Sequence, residues 1–198
     1  MTSNIYFKNR NRIMTPRLFL RPIVKNDTGL IVEWRNHLAK EQHSVFYDKD
    51  ENLTIEKHLD WFENNRKNRI DYMFIERSEN TPIGMLHFKN INKSSGIAEA
   101  GKIIGDYSFR KKGYAKEAFG FWLKYGFEQL SLQTIYIYTD TQNTSNIGLN
   151  LKLGFKKVYN KNKLINKSQE FLKMEISKLD IGKINKALSI DQEDNNFF

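Results

Sequence analysis

A basic stretch, RKKGYAKEAFGFW, combines residue types that suit the binding of an anion. Arg110, Lys111 and Lys112 precede Gly113-x-Ala115, and apolar residues at helical spacing follow. A helix start already carries unpaired N–H groups and partial positive charge, so cations there are unfavourable unless an anion lies against them. Gly113 permits φ > 0, and the small Ala115 keeps the first turn open to a phosphate-like group. The stretch predicts an anion cradle, with a plain basic turn before a helix as the alternative.

The elements that must position this stretch are predicted from hydrophobic periodicity. They are a strand at 17–23, helices starting near Asp27 and Thr54, strands at 71–78, 80–91 and 95–107, a helix at 113–130, a strand at 134–140, a helix at 143–155 and a strand at 170–177. This order predicts an α+β fold with a mixed, mostly antiparallel sheet. It also predicts one parallel pair of strands where the long helix crosses between them.

The chain length of 198 residues is that of one domain. We expect a flexible N-terminal arm over residues 1–14 and a folded domain over residues 15–178. Residues 179–198 alternate charged and polar side chains, so we expect a polar C-terminal tail that is either helical or frayed.

Composition narrows the classes of partner. Lys plus Arg exceed Asp plus Glu by 32 − 23 = 9, which favours anionic partners, although a solvated lysine-rich surface is the alternative. The absence of cysteine excludes disulfides and thiolate metal sites, and the four histidines show no metal-ligand spacing, so no metal is expected. No apolar run approaches the roughly 20 residues of a membrane span, and the N-terminus has no apolar signal region. We therefore expect a soluble, cytoplasmic protein with no membrane partner.

The basic stretch and a later segment, NTSNIGLNLKLGF, occur in an order that resembles the GNAT family of acyl-CoA N-acetyltransferases. The family's Arg/Gln-x-x-Gly-x-Gly/Ala motif and its Asn-x-x-Ser/Ala…Lys-x-Gly-Phe element are both matched. The strand TPRLFLRPI resembles the opening strand of the subgroup that includes ribosomal-protein acetyltransferases. The resemblance spans roughly residues 15 to 176. The matching motif residues are Arg110, Gly113, Ala115, Asn143, Lys152, Gly154 and Phe155.

This resemblance implies a three-layer α/β/α fold whose central sheet is splayed at the acetyl-CoA site. The loop before the long helix would bind the pyrophosphate through backbone N–H groups, and the strand before it would expose main chain to the pantetheine arm and thioester. Asn143 would contact the arm, with a helix N-cap as the alternative. The implied acetyl-CoA contacts are Ile103, Ile104, Arg110, Lys111, Lys112, Gly113, Tyr114, Ala115, Asn143, Asn146 and Lys152.

Acetyl transfer to an amine requires a group that accepts the proton of the amine before attack. The resemblance places Glu99 where relatives carry a strand carboxylate facing the site, with a surface glutamate as the alternative. Relatives often use a Tyr in the last helix as the acid for the departing thiolate. Asn150 holds that position here, and an amide cannot donate a proton as a phenol does. Tyr107 or Tyr114 are the candidate replacements, or the thiolate leaves without help.

The segment from Trp34 to Phe62 resembles the N-terminal pattern of acetyltransferases of nucleotide-linked amino sugars, of the pseudaminic-acid pathway type. An aromatic ring there can stack on a base or sugar, and Arg35 can hold a diphosphate in bidentate fashion. The alternative is that the aromatic residues are core positions of amphipathic helices. The implied substrate contacts are Trp34, Arg35, Asn36, His58 and Trp61.

Three functions remain open from the sequence. The first is acetylation of a nucleotide-linked amino sugar, and the second is acetylation of a protein N-terminus or another small amine. The third is a non-catalytic module that binds CoA or nucleic acid, which is disfavoured because no aromatic-interleaved basic strand motif occurs. An exposed strand near the C-terminus suggests a homodimer.

Overall fold

The computed structural model describes residues 12–41, 52–159, 163–166 and 169–194, and these residues form one mixed sheet with flanking helices. The strands are β1 (Ile13–Met14), β2 (Leu18–Pro22), β3 (Ile70–Glu76), β4 (Thr81–Asn92), β5 (Ile97–Ile104), β6 (Thr134–Asp140), β7 (Lys156–Lys157), β8 (Lys163–Asn166) and β9 (Gln169–Ser177). The helices are α1 (Thr28–Leu38), α2 (Ile55–Asn64), α3 (Tyr114–Glu128), α4 (Thr144–Lys152) and α5 (Ile181–Asp194). The predicted α+β class is confirmed. Within these ranges no helix combines the length and apolar character needed to cross a membrane.

The sheet has the strand order β1-β2-β3-β4-β5-β6-β9-β7, and β8 also pairs with β9. Every pair is antiparallel except β5–β6. The helix α3 connects β5 to β6, and a crossover helix is what returns the chain in the same direction. The expected mostly antiparallel sheet with one parallel pair is confirmed.

The alternation of side chains along β3 shows why the sheet is covered on both faces. Tyr72 and Phe74 pack in the larger apolar core, together with residues of α3 and α5. Met73 and Ile75 point the other way, into a second core built with residues of α1 and α2. Because successive strand residues face opposite sides, burial of both sets requires a helical layer on each face. The three-layer α/β/α arrangement is therefore confirmed.

The parallel pair β5–β6 separates after a short paired segment. Ile97–Glu99 pair with Thr134–Tyr136, whereas residues 100–104 of β5 pair only with β4 on their other edge. The sheet is therefore splayed between the C-terminal halves of β5 and β6, as expected. The edge of β5 that faces β6 is left without a strand partner along residues 100–104.

Helix ends follow local sequence signals in some places and longer-range contacts in others. The Thr54 side chain accepts the Lys57 amide and caps α2, and Gly154 takes φ +101° just beyond α4. Asp27 precedes α1, but its carboxylate is engaged by Arg21 and no side-chain cap bond forms. The bidentate Arg21 contact, at 2.7 Å for both N···O distances, offers a stronger partner than the helix amides.

The C-terminal segment differs from the expected polar tail. Residues 181–194 form α5, and Ile184, Ala187 and Leu188 are buried in the larger core. Their spacing of three and four residues is that of a helix face, which the alternating charges obscure in the sequence. The folded domain thus continues beyond the expected boundary at residue 178. At the other end, Ile13–Met14 form β1, and the rest of the expected arm, residues 1–11, lies outside the described residues.

Candidate active site

A cavity of about 650 Å³ passes through the gap between β5 and β6 and is walled on one side by α1 and α2. It brings together three of the expected substrate residues, Arg35, His58 and Trp61, with Glu99. Two residues expected to contact acetyl-CoA, Ile103 and Asn146, also line it. The other lining residues used below are Lys57, Arg69, His87, Lys89, Asn90, Lys102, Ile137 and Phe171.

The two faces of β5 contribute different chemistry to this cavity. Ile103 pairs with Met85, which packs in the α1/α2 core, so residues 99, 101 and 103 face α1 and α2. Lys102 pairs with Leu86, which is buried in the core under α3, so Lys102 faces α3 and α4. The cavity reaches both faces because the sheet is open at this point.

Positive charge dominates the wall formed by α1 and α2. Burial and the neighbouring Arg69 guanidinium lower the pKa of Arg35. Burial, with the positive charges of Arg35 and Arg69, lowers the pKa of His58 to about 4, so its ring is neutral near pH 7. The His58 side chain is 3% exposed, and neither ring nitrogen has a hydrogen-bond partner among the described residues. The wall therefore presents a neutral imidazole between two guanidinium groups.

The Trp61 ring lines the cavity and contacts two neighbouring side chains. The Arg69 guanidinium lies 4.8 Å from its ring centroid, and the His58 ring stacks on it at 5.6 Å. Arg69 is itself fixed by Asp71, with N···O distances of 2.7 to 2.9 Å. Trp61 thus packs against Arg69 and His58, and its expected stacking on a base or sugar stays a prediction.

Glu99 faces the cavity from β5 and is engaged by neighbours on β4. Lys89, its direct cross-strand partner, places Nζ 2.9 Å from one carboxylate oxygen. Asn90 donates to the other oxygen at 3.1 Å. His87 lies two residues before Lys89, on the same face, and its ring covers Gly101, where a Cβ would come within 2.2 Å. Burial, with the nearby charges of Arg69 and Lys89, lowers the pKa of His87 well below its usual value.

Lys102 and Asn150 form a polar contact on the opposite face of β5. Lys102 Nζ donates to Asn150 Oδ1 at 2.7 Å and lies 4.1 Å from the centroid of the Phe119 ring. Asn150 is fully buried, and its Nδ2 donates to Thr139 Oγ1 at 3.1 Å. Burial lowers the pKa of Lys102 to about 7. Asn150, which stands where relatives often carry an acidic Tyr, thus holds the Lys102 side chain in place.

The basic loop before α3 has the backbone that its sequence predicts. Lys111 and Gly113 have φ values of +60° and +82°, and Gly113 is the N-cap of α3. The backbone amides of residues 111–115 donate to no acceptor in the described part of the chain. These amides sit at the positive end of a long helix, so the loop has the features of an anion site. Tyr114 and Ala115 form the first turn of that helix, and both are partly buried.

A partly buried ion pair that the sequence did not reveal holds this loop. Arg17 Nε lies 2.7 Å from Glu117 Oε2, and Thr15 Oγ1 donates to the other carboxylate oxygen at 2.6 Å. The same guanidinium donates to the Lys112 carbonyl at 2.9 Å. Arg17 thus ties β2, α3 and the loop together, leaving the loop amides free for a ligand.

Arg110 and Tyr107 form a cluster outside the cavity. Arg110 donates to Glu41 Oε1 at 2.8 Å and to the Ile104 carbonyl at 3.3 Å, and its Cζ lies 3.9 Å from the Tyr107 ring centroid. Partial burial and the hydrogen bond to Glu41 raise the pKa of Tyr107. Tyr107 is not among the residues that line the cavity. Its side chain braces the loop, and its role as the acid stays a prediction.

Two expected substrate residues support the wall without lining it. Trp34 is 3% exposed and packs on Gly105, where a Cβ would lie 1.9 Å from its ring. Asn36 exchanges two hydrogen bonds with the backbone of Leu53, at 2.9 and 2.8 Å, and Leu53 lines the cavity. The alternative that Trp34 is a core residue is therefore the one observed, and Asn36 positions the segment before α2.

The residues of α4 divide between its two ends. Asn143 caps the helix by accepting the Asn146 amide at 3.0 Å, which is the alternative considered for it. Asn146 lines the cavity, whereas Lys152 is exposed in the last turn, about 9 Å further along the helix axis. Their contacts with acetyl-CoA stay predictions.

The sequence missed most of the cations of the cavity. Lys89 is brought in by its pairing with Glu99, and Arg69, directly before β3, by the pairing of β3 with β4, and no local motif records either. Lys102 had a signal, because strand alternation places it with Ala98, Ala100 and Ile104 on an otherwise apolar face. A single lysine on the apolar face of a strand is rarely buried without a partner. The described residues include no group of side chains suited to hold a metal ion.

Comparison with protein families identifies a match over most of this fold. The model of the acetyltransferase (GNAT) domain matches residues 17–156. These residues include the loop before α3, both splayed strands and α4. No curated protein matches the chain.

Solved structures with the same fold share low sequence identity with the chain. Spermidine N-acetyltransferase from Vibrio cholerae, in complex with CoA and spermine, has a TM-score of 0.71 and 19% identity, over 83% of this chain and 98% of its own. A GNAT-family acetyltransferase from Bacillus anthracis has a TM-score of 0.68 and 22% identity, over 85% and 99%. A candidate ribosomal-protein-serine acetyltransferase from Vibrio cholerae has a TM-score of 0.64 and 21% identity, over 84% and 97%.

Proposed function

This chain belongs to the GNAT acetyltransferase family, and we propose that it acetylates the amino group of a nucleotide-linked amino sugar. Membership of the family makes it an N-acetyltransferase that uses acetyl-CoA as co-substrate. The identity of the acceptor and the roles of individual residues are what the proposal adds.

The loop before α3 is proposed to hold the pyrophosphate of acetyl-CoA. Support comes from the amides of residues 111–115, which have no acceptor in the described structure, and from the left-handed backbone of Gly113. A phosphate at this helix N-terminus would receive several N–H bonds and a favourable dipole interaction. Lys111 and Lys112 are exposed and add general attraction, while Arg110 is engaged by Glu41 and serves the loop.

The pantetheine arm is proposed to enter the gap between β5 and β6. Residues 100–104 of β5 have no strand partner on that edge, so their backbone groups are open to hydrogen bonds with an extended ligand. Ile103 lines the cavity there, and Asn146 faces it from α4. The thioester would then lie in the gap between β5 and β6, where the cavity connects the two faces of the sheet.

The observation that carries the choice of acceptor is the charge of the cavity. Its lining includes five cationic side chains and one carboxylate. Asp71 and Glu99 pair with two of these cations, and among the described residues the cationic side chains of the cavity outnumber the carboxylates. The cationic residues are Arg35, Lys57, Arg69, Lys89 and Lys102. Such a cavity attracts an acceptor that carries phosphate groups and repels a polyamine or a basic peptide.

Arg35 and His58 are proposed to recognise the diphosphate and an adjacent hydroxyl. A guanidinium binds phosphate oxygens in bidentate fashion. The neutral His58 ring offers one donor and one acceptor, which matches a hydroxyl group. A buried imidazole without partners is costly, so a ligand that satisfies it gains affinity.

Glu99 is proposed to orient the acceptor amine and to receive its proton, directly or through water. Its carboxylate faces the cavity between Lys89 and Asn90, on the same face of β5 as the proposed acceptor. An amine held there approaches the thioester from the α1/α2 side. Proton acceptance at this point frees the amine lone pair for attack.

Thiol release from acetyl-CoA tests the proposal when four acceptors are compared at equal concentration. These are a UDP-linked amino sugar, a dTDP-linked amino sugar, spermidine and a peptide with a free N-terminus. We expect turnover with one of the nucleotide sugars and little with the other two acceptors. Preferential acetylation of spermidine or of the peptide would contradict the amino-sugar proposal. Calorimetric titration with acetyl-CoA tests the co-substrate site separately from the acceptor.

A further inference from the structure

We propose that Lys102 is the acid that protonates the thiolate of CoA as it leaves. The inference rests on the acetyl-CoA role proposed above and adds a catalytic residue to it. It is carried by the place of Lys102 in the splayed sheet and by its hydrogen bond to Asn150.

The first argument is the side of the sheet on which Lys102 lies. The proposed acceptor residues face α1 and α2, whereas Lys102 lies on the face covered by α3 and α4, and the cavity joins the two through the gap. The loop proposed to hold the pyrophosphate precedes α3, on the same side as Lys102. An amine that attacks from one face expels the thiolate toward the other, where the Lys102 ammonium lies.

The second argument is that Asn150 fixes the ammonium without neutralising it. Because Asn150 Nδ2 donates to Thr139, its oxygen is the atom that meets Lys102 Nζ. An ammonium has three donors, and Asn150 accepts one. In the described structure no carboxylate pairs with Lys102, so the proton it carries is not held by an ion pair.

The third argument compares the other cationic and ionisable groups of the cavity. Guanidinium groups do not release protons near neutral pH, which excludes Arg35 and Arg69 as acids. The low pKa values of His58 and His87 leave both rings neutral, and Lys89 is paired with Glu99. These groups lie on the acceptor side of the sheet, as do the remaining ionisable lining residues, Lys57 on α2 and Tyr138 on β6.

The protonation state of Lys102 suits this role. Burial lowers its pKa to about 7, so near neutral pH an appreciable fraction is protonated and able to give up the proton. The leaving thiolate, whose thiol has an ordinary pKa of about 8.5, accepts a proton readily from such a group.

The proposed step balances as follows. The neutral amine nitrogen forms a bond to the thioester carbon, and the carbon–sulfur bond breaks with its electron pair on sulfur. Lys102 transfers one proton to the sulfur and becomes a neutral amine. The proton of the attacking nitrogen passes to Glu99 or to water, and Lys102 regains its proton from solvent before the next turnover.

The test uses bound CoA, so that it does not depend on the acceptor. The ultraviolet absorbance of the CoA thiolate is followed against pH in the complexes of the wild type and of Lys102→Met. A neighbouring ammonium favours the thiolate, so we expect bound CoA to ionise about one pH unit or more lower in the wild type than in Lys102→Met. Lys93→Met removes an exposed lysine in the β4–β5 turn and is expected to match the wild type.

Steady-state kinetics of Lys102 variants then distinguish proton donation by the ammonium from an effect of its positive charge alone. With an accepted nucleotide sugar, we expect kcat to fall about 100-fold or more in Lys102→Met and in Lys102→Arg, with KM for acetyl-CoA nearly unchanged. Arginine keeps the charge but cannot release the proton, so an active Lys102→Arg enzyme would overturn the proposal. The descending limb of the wild-type pH profile near pH 7 should vanish in Lys102→Met.

The outcomes distinguish this inference from the function on which it rests. If wild-type protein fails to bind CoA, the acetyl-CoA site itself is wrong and Lys102 has no role. If CoA binds and its thiol ionises at the same pH in the wild type and in Lys102→Met, the general-acid proposal alone is wrong. Circular dichroism checks that the variants are folded. Should Lys102→Met fail to fold, Lys102→Gln, which retains a polar contact for Asn150, takes its place in both measurements.

Discussion

In the proposed function, Arg35 is the residue that contacts the diphosphate of the acceptor. We expect Arg35→Gln to raise KM for the nucleotide sugar about 10- to 100-fold, because a charge-assisted contact contributes about 1.5–3 kcal/mol. Initial rates over a range of acceptor concentrations measure this, with KM for acetyl-CoA as the internal reference. Arg66→Gln changes an exposed arginine after α2 and should leave both KM values unaltered. An equal rise in both KM values would indicate a general structural effect and contradict the assignment.

His58 makes folding depend on pH in a defined direction. Its folded pKa of about 4 lies below the unfolded value of 6.5, so the unfolded state binds more protons between these two values. The stability contributed by the neutral ring is present above pH 6.5 and is lost as the pH falls to about 4. The loss is about 3 kcal/mol, since each unit of pKa corresponds to 1.36 kcal/mol.

Denaturant unfolding at pH 7 and pH 4 measures this contribution. We expect the free energy of unfolding to fall by about 3 kcal/mol less in His58→Gln than in the wild type over this interval. His37→Gln, which changes an exposed histidine, should follow the wild type. The same pH dependence in wild type and His58→Gln would contradict the low pKa. A nucleotide bound at Arg35 should also raise the pKa of His58, because it adds negative charge nearby.

Individual residues show which parts of the candidate site could be predicted from the sequence and which could not. Arg35 and Glu99 were expected from a family resemblance, and both line the cavity, while their roles stay predictions. The contacts of Tyr107 with Arg110 and Glu41 could not be predicted from the sequence, because they depend on the fold. Lys102 depends on an amide 48 residues later in the chain, and only the fold brings those two side chains together.

In the loop from β5 to α3, we expect the backbone conformation to affect both fold stability and acetyl-CoA binding. Gly113 has φ +82°, and an L-residue costs about 1–2 kcal/mol in that region. We expect Gly113→Ala to lower the free energy of unfolding by that amount and to weaken acetyl-CoA binding, because the loop amides would shift. Thermal unfolding and calorimetry measure the two effects.

Gly148→Ala provides the matched control for this loop. Gly148 lies inside α4 with a helical backbone, and nothing lies within 4 Å of an added Cβ. We expect this change to stabilise the fold by about 0.5–1 kcal/mol, since alanine favours the helix. A Gly113→Ala protein as stable as Gly148→Ala would show that the left-handed backbone is not required.

The helix α5 belongs to the fold, and its packing gives a separate prediction. Leu188 is 8% exposed and packs on Gly120 of α3, where an added Cβ would lie 2.8 Å from it. We expect Leu188→Ala to lower the free energy of unfolding by about 2–4 kcal/mol, because the lost methyl groups leave a cavity. Leu179→Ala, at a residue that is 95% exposed, should change it little. Equal stability of the two variants would mean that α5 does not pack as observed.

Elements were predicted more completely than their ends and contacts. Periodicity identified the long strands and α1 to α4, because each has a clear apolar face. The strands β1 and β7 have two residues each, too few for a period. Asp27 was expected to cap α1, but Arg21 competes for its carboxylate, and that competition is a tertiary contact.

At the scale of the whole molecule, the proposed function rests on charge and topology together. The splayed pair β5–β6 opens the sheet, and the cations of α1, α2 and β4 make one side of the opening positive. The excess of nine positive charges in the sequence predicted an anionic partner but not where it would bind. Placement came from cross-strand pairing, which brings Arg69 and Lys89 to the same cavity. The expected homodimer stays a prediction.

The measurement that tests the central claim most directly is the ratio of kcat/KM for a UDP-linked amino sugar to that for the same sugar without the nucleotide. We expect a preference of about 100-fold or more at low salt, because contacts of Arg35 and its neighbours with the diphosphate are charge-assisted. The preference should shrink as salt screens the cavity. A ratio near one, unchanged by salt, would contradict the account, because the positive cavity would then have no part in choosing the acceptor.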